Sequence, residues 1–110
     1  MAEHLGDWTR THTCGALRPN DLDTDATLLG WVHRVRDLGG VLFIDIRDRE
    51  GVSQVVFRDN DELLARAKRL RPEFVVGVKG LVERRSPDTV NPKLASGEVE
   101  TRVVAPVPWF

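Results

Sequence analysis

The 110-residue chain contains a single cysteine, Cys14. One thiol closes no intramolecular disulfide and completes no zinc site, so Cys14 reads as a small buried or edge apolar residue. No apolar run approaches the ~18 residues that a membrane helix needs. Met1 to Arg10 is mixed and charged and lacks the apolar core of a signal peptide, which makes the cytoplasm the expected compartment. Charge of one sign is missing too: sixteen Lys and Arg face seventeen Asp and Glu, for a formal net charge of −1. That balance argues against a protein that coats nucleic acid non-specifically, because such coating needs a strong basic excess. Glycines occur singly or as the one pair Gly39-Gly40, and no Gly-rich phosphate cradle precedes a helix. Low-complexity segments and internal repeats are also absent.

The composition, 41% hydrophobic and 30% charged, is that of a globular chain. Its length suits one domain that buries roughly 60–70% of its unfolded surface. Residues 1–9 read as an extension, expected to be poorly ordered. Thr27 to Arg36 reads as a strand with Leu28 and Val32 on one face, and Gly30 between them suggests a bend or bulge. After the Leu38-Gly39-Gly40 turn, Val41 to Asp48 alternates cleanly. Leu42, Ile44 and Ile46 point one way; Val41, Phe43, Asp45 and Arg47 point the other. A turn at Arg49-Glu50-Gly51 leads into a third strand, Val52 to Phe57, with Val55 and Phe57 opposite Gln54 and Val56. Asp59-Asn60-Asp61 offers a helix N-cap. Leu63, Leu64, Ala67 and Leu70 follow at helical spacing, and Pro72 stops a helix of about three turns. Phe74 to Glu83 is a fourth strand. Ser86 to Gly97 is a polar loop. Glu98 to Val103 is a fifth strand with Val99, Thr101 and Val103 inward. The tail, residues 105–110, is extended because Pro106 and Pro108 forbid a helix.

Three strands, a helix and two strands do not make a βαβ pattern. The order predicts an all-β fold with one helix: a five-stranded Greek-key OB-fold barrel over residues 10–104, its helix between strands three and four. An SH3-like barrel is the competing architecture, but it seldom carries a helix at that point.

Catalytic patterns are scarce. His4, His12 and His33 form no Ser-His-acid or Cys-His spacing. The charge-dense run Asp45 to Glu50 admits an acid–base or metal reading, but a solvated charge ladder and turn accounts for it better. Nucleic-acid binding has more support. An OB-fold binds single strands on the face of strands two and three, with aromatics as stacking platforms. Parity puts Phe43 outward on that face, where a covering loop or tail is the alternative. Gln54 lies outward beside it, with a donor and an acceptor suited to base edges. Arg34 and Arg36 close the first strand. Glu100 faces outward on the fifth, where a carboxylate would accept from base amino or imino groups rather than meet phosphate. One aromatic, one amide, one carboxylate and a few arginines suit selective reading of a few unstacked bases.

Three stretches carry a family resemblance: Gly30-Trp31-Val32-His33-Arg34, then Arg36 through Gly51 containing Arg47-Asp48-Arg49-Glu50-Gly51, then Gln54-Val55-Val56-Phe57. Together they resemble the N-terminal anticodon-binding domain of bacterial-type aspartyl-tRNA synthetase. The opening Arg10-Thr11-His12-Thr13-Cys14-Gly15 and the run Thr89 to Glu100 resemble the same family, so the likeness covers about residues 10–104. Asparaginyl- and lysyl-tRNA synthetases share the fold but not the Asn91-Pro92-x-Leu94-Ala95-Ser96-Gly97-Glu98 run.

The resemblance implies that Phe43 stacks on an anticodon base, Gln54 reads base edges, Arg36 is a basic contact and Glu100 hydrogen-bonds a base. It places Arg34, Arg85 and Asn91 at or beside anticodon-loop contacts. Leu38 matches the versions charging only aspartate tRNA, where histidine marks those that also accept asparagine tRNA. Val35 departs from the family's usual arginine, which removes a phosphate contact. The class II domain that would hold ATP, magnesium and aspartate is missing, and residues 103–110 only loosely resemble the hinge toward it. The expected partner is therefore the aspartate tRNA anticodon stem-loop, with a separate or missing catalytic domain. No cofactor, metal, membrane or enzymatic activity is expected of this chain by itself. The rival expectation is a free-standing or vestigial OB-fold that serves protein interaction or general single-stranded nucleic-acid binding.

Overall fold

Inward Leu42, Ile44 and Ile46 are buried in β2 (Val41–Asp48), as the alternation requires. The computed structural model describes residues 4–5, 8–58 and 60–105. β1 spans Asp25–Leu38, β3 Gly51–Phe57, α1 Asp61–Ala67, β4 Val75–Arg84 and β5 Val99–Ala105. The five strands close into a barrel of order β1-β2-β3-β5-β4. Every neighbouring pair is antiparallel except β3 and β5, which run parallel. This is the Greek-key OB order expected from the element pattern.

β1 is long enough to serve two partners. Its first half, Asp25 to Trp31, pairs with β4, and its second half, Trp31 to Leu38, pairs with β2. Gly30 sits at the corner between them. A Cβ there would stand 2.3 Å from the Arg47 carbonyl oxygen, so only glycine permits the crossing. The bulge suggested by the sequence lies further on: the register shifts between Val32 and Arg34. The extra residue, His33, has a consequence for the face of the sheet. Val32 points into the core, and after the bulge Val35 packs against it while Arg34 and Arg36 face out. Strict alternation from Val32 would have aimed both arginines inward.

The barrel interior is filled by aliphatic side chains from all five strands and by Phe57. Leu63 and Ala67 of α1, with Leu70 just beyond it, belong to the same core. Each such buried side chain contributes roughly 1.5–3 kcal/mol over an exposed one. The helix is shorter than the sequence suggests, seven residues ending at Ala67. Asn60 is its N-cap and accepts from the Leu63 N–H at 3.0 Å, while Asp59 lies outside the described residues. Leu70 remains buried because turns after Lys68 return it to the core.

The Asp45–Glu50 run is not wholly solvated, which corrects the sequence reading. Asp48 is only 3% exposed and caps the β2–β3 hairpin. Its Oδ1 accepts from the Glu50 and Gly51 N–H groups at 2.8 and 3.1 Å, and its Oδ2 accepts from the Cys14 N–H at 2.8 Å. The Cys14 carbonyl in turn accepts from the Ser53 hydroxyl. The segment before β1 is thus clamped to the hairpin, and Cys14 is buried with its thiol pKa pushed up, chiefly by burial. Upstream, His4–Leu5 pairs antiparallel with Trp8–Thr9 inside the expected extension. Of the expected tail, Ala105 closes β5 and residues 106–110 lie outside the described residues.

Candidate nucleic-acid interface

Residues opposite one another in a sheet share a face. The register places Arg36 opposite Phe43, Arg34 opposite Asp45, and Asp45 opposite Gln54. Glu100 of β5 joins this outer face, and Arg85 follows β4 directly. Seven side chains from β1, β2, β3, β5 and the end of β4 thereby converge, although up to 66 positions separate them in sequence (Arg34 to Glu100).

Five of them, Arg36, Phe43, Gln54, Glu100 and Arg85, form one connected chain. Arg36 Nη2 donates to Gln54 Oε1 at 2.8 Å, and Arg85 Nη1 donates to the same oxygen at 3.1 Å. Gln54 Nε2 donates to Glu100 Oε1 at 2.8 Å. The Arg36 guanidinium carbon lies 5.5 Å from the centroid of the Phe43 ring, within cation–π range. Arg85 Nε donates to the Val99 carbonyl and its Nη1 to that of Thr89, each at 2.9 Å. Its Nη2 is buried with no partner, a condition that costs about 1–3 kcal/mol unless something satisfies it.

Parity had placed Gln54 and Glu100 outward, and in direction they are. In exposure they differ from that expectation: Gln54 is 0% exposed, bonded to both Arg36 and Arg85, and Glu100, bonded to Gln54, is 3% exposed. Arg85 itself is 7% exposed. Burial raises the Glu100 pKa; the Gln54 hydrogen bond, Arg58 and Arg85 oppose it. Burial also lowers the Arg85 pKa, while Asp45 and Glu100 push it back up. Phe43 is half-buried under Arg36 rather than open, and Arg34 is exposed.

Beside this chain lies a polar hollow of about 200 Å³. Arg34, Arg36, Asp45 and Arg85 line its sheet side, and Asp88, Val90, Asn91 and Leu94 its loop side. Asn91 does reach it, but its side-chain oxygen accepts from the Lys93 N–H at 3.0 Å and so shapes the loop. Gly97 completes that loop, since a Cβ there would stand 1.7 Å from the Asn91 carbonyl oxygen. Leu38 stands apart, 53% exposed at the end of β1, before Gly39 and Gly40 with φ of 61° and 89°. Asp45, Asp88, Val90 and Leu94 were not expected at the site. Their meeting depends on how the 86–97 loop folds back, which the local sequence does not signal. Among the described residues, no group of three His, Cys, Asp or Glu is placed to hold a metal. Among the described residues, too, no helix is long and apolar enough to cross a membrane.

The tRNA anti-codon family, described as an OB-fold nucleic acid binding domain, matches residues 26–105. The chain belongs to this family. As an anticodon-family OB domain, it is 50% identical over 105 residues to the aspartate–tRNA(Asp/Asn) ligase of Syntrophotalea carbinolica, covering 94% of this chain and 18% of that protein. It is 53% identical over 96 residues to the aspartate–tRNA ligase of Staphylococcus saprophyticus, covering 86% and 16%. The domain therefore spans less than a fifth of the length of these relatives. Among solved structures it resembles asparaginyl-tRNA synthetase from Pyrococcus horikoshii. The identity is 27% and the TM-score 0.69, with 84% of this chain and 21% of that one covered. It also resembles the OBody AM3L15 solved bound to hen egg-white lysozyme, at 26% identity and TM-score 0.75, covering 88% and 91%.

Proposed function

We propose that this OB domain recognises the anticodon loop of aspartate tRNA as the tRNA-binding part of an aspartate–tRNA ligase in the cytoplasm. The catalytic step belongs to a class II domain elsewhere in such an enzyme. The observation that carries this reading is the Phe43–Arg36–Gln54–Glu100 chain on the outer face of the barrel, in a sequence half identical to aspartate–tRNA ligases.

In this reading Phe43 is the stacking platform and Arg36 its movable cover. An unpaired base takes the place of Arg36 on the ring and brings its edge to the Gln54 amide. Glu100 holds that amide in one orientation, because it accepts from Nε2 and leaves Oε1 toward the arginines. Glu100 thus acts on the base through Gln54 unless the chain opens further. Arg34 contacts backbone phosphate, and Asn91 holds the loop that walls the site. Leu38, exposed at the loop tip, contributes to the choice between aspartate-only and aspartate/asparagine tRNA.

Titrating aspartate tRNA, a second tRNA and oligo-dT against the chain tests the proposal. Tightest binding to aspartate tRNA, on the order of micromolar, is expected for so small and nearly neutral a footprint. Equal binding of all three would make it a general single-strand binder. Binding of none would favour a protein-interaction role.

A further inference from the structure

We infer that Glu83 is a positioning residue for base reading: it holds Arg58 off the Glu100 carboxylate and so keeps Gln54 bonded to Glu100. The inference rests on the RNA-reading role proposed above and adds a residue that touches no base yet sets how well bases are told apart. How two carboxylates divide the cations around them carries it. Glu83 of β4 stands directly opposite Glu100 of β5, so the two share the outer face of the sheet. Like charges so placed repel, and neighbouring cations have to offset them. Arg85 is already tied to the Val99 and Thr89 carbonyls and to Gln54. Arg102 lies two residues beyond Glu100 on the same face of β5, and Arg58 follows β3 directly. Both of these arginines turn to Glu83. Arg102 Nε donates to Glu83 Oε1 at 2.8 Å, and Arg58 Nη2 donates to the same oxygen at 3.3 Å. Glu100, more deeply buried, receives the neutral Gln54 amide at 2.8 Å.

This division is what leaves Gln54 its partner. A charge-assisted hydrogen bond is about twice as strong as a neutral one, so a guanidinium free to reach Glu100 would displace the amide. Arg58 is the cation in place to do so, since its charge already acts on the Glu100 carboxylate through space. Without the Glu83 charge, Arg58 loses its ion pair and Glu100 loses a repelling neighbour, and both changes favour an Arg58–Glu100 pair. Gln54 is then held at Oε1 alone, and the edge it shows a base is no longer fixed from both ends. The ion pairs themselves are half-buried, and pairs of this kind add little to stability, so removing them leaves the barrel folded.

A double-mutant cycle tests the inference. Glu83→Met and Arg58→Met keep the length of each side chain and remove its charge. Parent, both single variants and the double variant are titrated with stem-loops carrying the aspartate anticodon and with loops changed at one triplet base. Glu83→Met should cut the discrimination between them at least about fivefold, the lower end of a base-edge contact. Its affinity for the changed loops should hold or rise, because the chain has lost a negative charge. Removing Arg58 as well should restore discrimination to within about twofold of the parent, which a merely structural role for Glu83 would not do. Gln54 is the one glutamine of the chain, so a nitrogen-15 label on glutamine side chains reports its amide alone, without RNA. That signal should shift and exchange faster in Glu83→Met and return to the parent position in the double variant. Parent-like discrimination and an unmoved amide signal in Glu83→Met would overturn the inference, as would a double variant no better than Glu83→Met. Neither result touches the RNA-reading role. If the parent itself does not distinguish the loops, that role falls, and Glu83 loses its part in base reading with it.

Discussion

Arg36 occupies the two surfaces proposed to receive a base, the Phe43 ring and the Gln54 amide oxygen. Phe43→Ala removes the ring and should weaken binding to the aspartate anticodon stem-loop by about 1–3 kcal/mol, or roughly 5- to 150-fold. Parent-like affinity from a folded variant would contradict the stacking role. Glu100 gives a prediction about pH. Burial raises its pKa above the ordinary 4.5, so the folded chain holds this proton to higher pH than the unfolded chain does. Its contribution to stability is then fully present below about pH 4.5 and is lost as pH rises through the raised value. Glu100→Gln keeps an acceptor for Gln54 and has no such component. The stability of the parent relative to the variant should therefore fall as pH rises above about 4.5, read from thermal melts; a difference independent of pH would contradict it. Parity identified which way Phe43, Gln54 and Glu100 point. It was silent on what covers them, because the covering arginines come from β1 and from beyond β4, and only the closed barrel brings them there.

The β2–β3 hairpin is held by one side chain. Asp48 accepts three backbone N–H bonds, one of them from Cys14, 34 positions upstream. Asp48→Ala should destabilise the domain by about 3–5 kcal/mol, since it leaves buried donors unsatisfied. Denaturant unfolding would show it, and a change under ~1 kcal/mol would mean that water replaces the carboxylate. At this scale the sequence was most legible where one period ran unbroken. The boundaries of β2 were read to the residue, and those of β3 and β4 to within one. The helix was overestimated because Leu70 keeps the helical spacing of Leu63 and Ala67 while reaching the core through turns. The bulge after Val32 was anticipated as a bend at Gly30, but its effect, turning two arginines outward, follows only from the register with β2.

As a whole molecule, the domain combines a near-neutral charge with a local concentration of arginines on one face. Such a surface cannot rely on phosphate contacts alone, because affinity from counterion release scales with the number of phosphates neutralised. Arg36→Ala should lower the salt slope of binding by about one and weaken all loops to a similar degree, as measured by titrations at several salt concentrations. The fold and the family resemblance could both be read from the linear chain. The hollow could not, because its walls come from β1, β2, the end of β4 and a loop closed by Gly97. The central claim is that this face reads bases rather than charge. Its most direct test is to titrate the chain with stem-loops that are identical except in the triplet, at one salt concentration. The account predicts that the aspartate triplet binds at least about tenfold more tightly than a loop with one base changed, in line with 1–3 kcal/mol per base-edge contact. Equal affinity across the triplets would contradict it.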